Sequence, residues 1–66
     1  MDEIDIWQAA KLLIRQHGNR AEFEAAKYIR GMVKRGDFVG EAGWKRVLRA
    51  IEQSRNTSAT DSAKVH

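Results

Sequence analysis

The row of cations in the middle of this chain is its sharpest chemical signal. Phe23, Lys27, Arg30 and Lys34 stand at i, i+4, i+7 and i+11, one line along a helix. An aromatic ring set among cations can stack on a nucleic-acid base or seat an acidic partner. Arg46 and Arg49, with Lys45, make a second basic set, partly offset by Glu41 and Glu52. The plainer reading of both sets is a pair of solvated helix faces with one aromatic anchoring a first turn. His17 is the other residue type able to do chemistry, as a metal ligand or a general base. The only second histidine is His66 and there is no cysteine, so no ligand set can be completed. Its expected role is to bond carbonyls at a helix end. No serine or threonine precedes Ser54, so no hydroxyl nucleophile stands beside a base. The stretch GDFVG lacks the GK[ST] ending of a phosphate loop. The expectation is therefore a non-enzymatic chain without catalytic, cofactor or metal residues.

The elements that must carry these residues are helical. Proline is absent and runs of β-branched residues are missing. Hydrophobic residues make up 42% and charged residues 32%, a globular rather than a disordered balance. The net charge of +3 is concentrated in residues 19–36, which alone sum to +3. That excess is short of a nucleic-acid footprint by itself. The first residues are acidic where a signal peptide would be basic, and no apolar run approaches the length of a membrane span. A cytoplasmic location with no membrane partner is the expectation.

Three amphipathic segments follow one another. Ile6, Trp7, Ala10, Leu13 and Ile14 share one face of a first helix over about 3–17, ended by Gly18. Leu12 falls off that stripe, either at the margin of the core or exposed. Asn19 and Glu22 have the spacing of a capping box. Ala21, Ala25, Tyr28, Ile29, Met32 and Val33 then mark a second helix over about 20–35, with Arg35 and Gly36 as its ending. Gly31 lowers its stability and would permit a neighbouring helix to come close. Asp37 can cap a third helix, whose first turns Gly40 and Gly43 weaken, so its span is placed at about 40–54. Trp44, Val47, Leu48 and Ile51 form its apolar face, and the indoles of Trp7 and Trp44 are expected in the core, near one another. Residues 56–66 are polar and aperiodic, and read as a flexible tail.

Two segments resemble known proteins. "DEIDIWQAAKLLIRQHG" and "GDFVGEAGWKRVLRAIEQ" resemble a family of short, mainly alphaproteobacterial helical proteins of unknown function. The resemblance covers about residues 2–53 and rests chiefly on Asp5-Ile6-Trp7, Gln16-His17-Gly18 and Trp44-Lys45-Arg46. It implies a small helical fold and no activity. Residues 21–53 also resemble one helix pair of a tetratricopeptide-type repeat. A single copy makes a hairpin and not a solenoid.

The fold expected is all-α: one small antiparallel three-helix bundle over residues 1–55, with a disordered C-terminal tail. A core of this size leaves stability marginal, so self-association belongs to the expectation. The function expected is that of a small interaction or regulatory protein, with an unknown protein partner or a second copy bound through Leu12 and Phe23. The alternative, less favoured, is nucleic-acid binding through Phe23, Lys27, Arg30 and Lys34, helped by Arg46 and Arg49.

Overall fold

Spacing and end signals together account for the first helix. α1 spans Glu3–His17, as the periodicity predicts, with Arg15 and His17 complementing the dipole in its last turn. The computed structural model describes the backbone of residues 3–65 and the side-chain surroundings of residues 4–56. Ile6, Ala10 and Leu13, three or four residues apart, are the positions of α1 that become buried.

The junction that follows differs from the expected capping box. Gly18–Arg20 forms a single 3-10 turn, and α2 then spans Ala21–Arg35. Arg20 occupies the N-cap position, with no side-chain cap hydrogen bond. Asn19 is taken up in the 3-10 turn and sits one residue too early to cap. Glu22, which the capping box would turn back onto the backbone, has its carboxylate engaged by Arg55 instead.

The second junction follows the local rules closely. Gly36 takes the left-handed conformation, with φ of 69°, which favours glycine over residues with a Cβ. Its N–H donates to the Val33 carbonyl at 3.1 Å, and the Asp37 N–H donates to the Met32 carbonyl at 2.9 Å. These bonds satisfy carbonyls that the end of α2 would otherwise leave open. Asp37 then caps α3, its Oδ1 accepting from the Gly40 N–H at 2.8 Å. α3 spans Phe38–Val65 and so starts two residues before the expected 40. Its glycines do not delay it, because the Asp37 cap fixes the first turn. The helical backbone also continues beyond 54, through most of the span expected as a flexible tail. No glycine or proline follows Gly43, and extending a formed helix adds one hydrogen bond per residue. The side chains of residues 57–66 lie outside the described residues.

The three helices pack as an antiparallel bundle, with α3 against both of the others. Pairings along α2 and α3 run in opposite senses: Glu22 meets Arg55, Tyr28 meets Trp44, and the Met32 sulfur lies close to Gly40. The buried core is Ile6, Ala10, Leu13, Ala21, Ala25, Val47, Ala50 and Ile51. Half of these are alanines, so the helices approach closely and many of the larger side chains are displaced to the rim. Ile14, Trp44 and Leu48 pack at that rim. Trp7, Tyr28 and Val33, expected in the core, are exposed. Nor do the indoles pair: Trp44 stacks on Tyr28, with centroids 4.5 Å apart and planes inclined by 17°.

Gly31 and Gly40 make opposite demands. A Cβ at Gly31 would meet nothing within 4 Å, so this glycine serves no close approach. A Cβ at Gly40 would lie 2.7 Å from both the Asp37 Oδ2 and the Met32 Sδ. Gly31→Ala should therefore raise the urea midpoint, with a gain of about 0.5–1 kcal/mol. Gly40→Ala should gain much less than Gly31→Ala, or lose up to about 1 kcal/mol, since the cap or Met32 must give way. Two gains of equal size would refute the crowded reading of Gly40.

Candidate functional site

Three separate places receive the residues singled out from the sequence. Leu12 is exposed on α1. Phe23, Lys27, Arg30 and Lys34 are exposed along α2. Arg46 and Arg49 line a trough between α1 and α3, and so do not join the α2 row.

On α2, the Arg20 guanidinium lies over the Phe23 ring, 5.4 Å from its centroid, a cation–π contact within the protein itself. Lys27 Nζ is 3.4 Å from the Glu24 carboxylate one turn earlier. Arg30 and Lys34 make no ion pair among the described residues. The line of cations is therefore real as a surface, with one member paired and its aromatic partly covered.

The trough is built differently. One end is lined by Ile6, Trp7, Arg46, Arg49, Ala50 and Gln53. Beyond the cover of α1 a second hollow adjoins it, lined by α3 residues alone, Phe38, Val39, Ala42, Gly43 and Arg46, so Arg46 borders both. Trp7 is 36% exposed, and Phe38 and Val39 are 79% and 81% exposed. Neither Arg46 nor Arg49 pairs with a carboxylate among the described residues, although Glu52 lies three residues after Arg49. The Glu41–Lys45 pair predicted by i, i+4 spacing is made, at 2.6 Å.

Periodicity favours the core for Trp7 over an exposed anchor and does not single out Phe38 and Val39, yet all three are surface residues. Trp7 was assigned to the core because it lies at the edge of the α1 stripe, where periodicity cannot separate rim from interior. Phe38 and Val39 did carry a signal. Stepping back in sevens and fours from Trp44, Val47, Leu48 and Ile51 reaches Asp37, Gly40 and Glu41 but neither apolar residue. An adjacent apolar pair off the buried stripe at a capped helix start must face outward or meet another chain.

A clasp from the second half of α3 holds the junction between α1 and α2. Arg55 Nε donates to Glu22 Oε2 at 2.7 Å, and Arg55 Nη2 donates to the Gly18 carbonyl at 2.6 Å. One guanidinium thus joins α3 to the start of α2 and to the end of α1, with geometry that a lysine could not match. The hydrogen bond from Arg55 holds the Glu22 carboxyl below its usual value of 4.5, against a smaller opposing effect of burial. His17 is half-buried beside this corner, and its ring makes no hydrogen bond among the described residues, contrary to the expected carbonyl contact. Among the described residues no group of three His, Cys, Asp or Glu side chains comes together. No helix among them is long and apolar enough to cross a membrane.

Comparison with known proteins gives no match to any family model, curated protein or solved structure.

The clasp has a defined pH signature. Because the folded-state pKa of Glu22 lies below its unfolded value, the stabilisation is complete above that unfolded value and is lost as pH falls through the depressed one. With about a third of each side chain exposed, Glu22→Gln should cost about 1 kcal/mol or less near neutral pH. The gap from wild type in urea unfolding should close in acid. A gap that stays constant down to about pH 3 would rule out the carboxylate as its source.

Proposed function

We propose that this chain is a small non-enzymatic, cytoplasmic interaction or regulatory module that offers the trough along α3 to a protein partner. One observation carries the reading: Phe38 and Val39 stand about four-fifths exposed at a helix start, continuous through Arg46 with the Trp7 end of the trough. Exposed apolar residues bordered by charge are the usual form of a protein-binding surface. The likeness to short bacterial helical proteins accompanies this reading as a proposal of kinship, and it adds no activity.

Nucleic-acid binding through α2 is the second reading, favoured by Arg30 and Lys34 on the same helix face as a ring that already accepts a cation. It is the weaker of the two. A single line of cations with Lys27 already paired leaves few contacts for phosphates.

Photo-crosslinking amino acids placed at Val39 and at Arg30, in cells of the native host, test one reading against the other. The expected result is a discrete protein adduct from Val39 that disappears when Phe38→Asp is added. Phe38 is too exposed for that change to affect folding by more than about 0.5 kcal/mol. A nuclease-sensitive adduct from Arg30, with none from Val39, would overturn the proposal in favour of the α2 surface.

A further inference from the structure

We infer that the occupant of the trough is an acidic amphipathic helix of another protein. The inference rests on the interaction reading above and specifies its partner. Along its length the trough alternates apolar and cationic character. Phe38, Val39 and Ala42 form one apolar stretch, Arg46 stands at the junction, and Trp7 and Ala50 form the next stretch, with Arg49 at its edge. No carboxylate is found among its lining residues. A complementary ligand must therefore bring apolar side chains at two places and negative charge between and beside them. Carboxylates suit the guanidinium fork, which binds them through two parallel hydrogen bonds.

The form of the ligand follows from its backbone. The Trp7 end lies between α1 and α3 and the Phe38 end on α3 alone, and neither offers an open strand edge to receive peptide N–H and C=O groups. A helix satisfies those groups internally and can present anchors at i, i+3, i+4 and i+7. The stretch from Phe38 to Gln53 measures roughly 22 Å along α3, about four turns of a partner helix.

Few carboxylates among the described residues are free for another copy of this chain to offer as that ligand. Among the described residues, Glu22, Glu24 and Glu41 are held in ion pairs and Asp37 in its cap. Asp5 and Glu52 are the described carboxylates that remain. A nucleic acid would bring phosphates for the arginines but little to cover Phe38, Val39 and Ala42.

The probe is a designed peptide of about 16 residues, with leucines at i, i+3, i+4 and i+7 and glutamates flanking them, compared with the same peptide carrying lysines for glutamates. Titration calorimetry on the full chain should show the glutamate peptide binding at least roughly tenfold more tightly, with affinity falling as salt rises. The double variant Arg46→Glu, Arg49→Glu should reverse the preference, a result that mere loss of folding could not produce. The double variant Phe38→Asp, Val39→Asp should abolish binding of the glutamate peptide. Equal binding of both peptides, lost in the Phe38/Val39 variant, would overturn the acidic partner and leave the trough as a protein site. Binding of neither peptide, or binding that ignores the Phe38/Val39 variant, would overturn the trough reading as well. Two other results would assign a different occupant. One is a concentration-dependent dimer in sedimentation that the Phe38/Val39 variant dissolves, and the other is an oligothymidine that binds only while Arg46 and Arg49 are present.

Discussion

Close approach of the helices through alanine is the constraint on which the rest of this structure depends. Ala10, Ala21, Ala25 and Ala50 make up half of the buried core. At the separations where helices pack, alanine at the contact brings the axes together and leaves no room for large side chains between them. Val47 and Ile51 fill the centre of α3, and the aromatic residues are driven outward. Trp44 covers the α2 side of the core by stacking on Tyr28. Trp7 becomes a wall of the trough on the other side. The exposed aromatic surface and the thin core are one consequence of the same small residues.

Two polar devices then hold the ends of the α2–α3 hairpin. At one end Gly36 and Asp37 turn the chain and cap α3, with Met32 lying against Gly40. At the other end Arg55 binds both Glu22 and Gly18. α1 is attached at the Arg55 end, and its Ile6 and Trp7 reach α3 at Arg46, Arg49, Ala50 and Gln53. The first turns of α3 consequently lie beyond the cover of α1. Phe38 and Val39 are exposed for this geometric reason, while Asp37 keeps the helix under them in register.

Charge and shape divide between two surfaces. The α2 row keeps most of its cations free but has little apolar relief, and its Phe23 ring is shared with Arg20. The trough has only two arginines, yet it sets them beside exposed apolar residues, Trp7, Phe38 and Val39. Desolvation of a few well-placed groups contributes more to binding than a count of exposed charges. For a chain of net charge +3, this comparison weighs toward the trough.

Much of the local structure was determined by the sequence alone. The extent of α1, the ending of α2 at Gly36, the Asp37 cap and the Glu41–Lys45 pair all depend on residues within a few positions of each other, where backbone hydrogen bonding and helix geometry act directly. Burial of Ile6, Leu13, Val47 and Ile51 was legible for the same reason, since each lies near the centre of its stripe. Tertiary structure decided whatever depends on distance between helices. Periodicity ranks positions around one axis and carries no information about how near the next axis comes. The exposure of Trp7, Tyr28 and Val33, the Trp44–Tyr28 stack and the uncovered start of α3 were settled by alanine-to-alanine packing. The choice of Arg55 as the partner of Glu22 was settled in the same way, because residues far apart in the chain met only when the helices had docked.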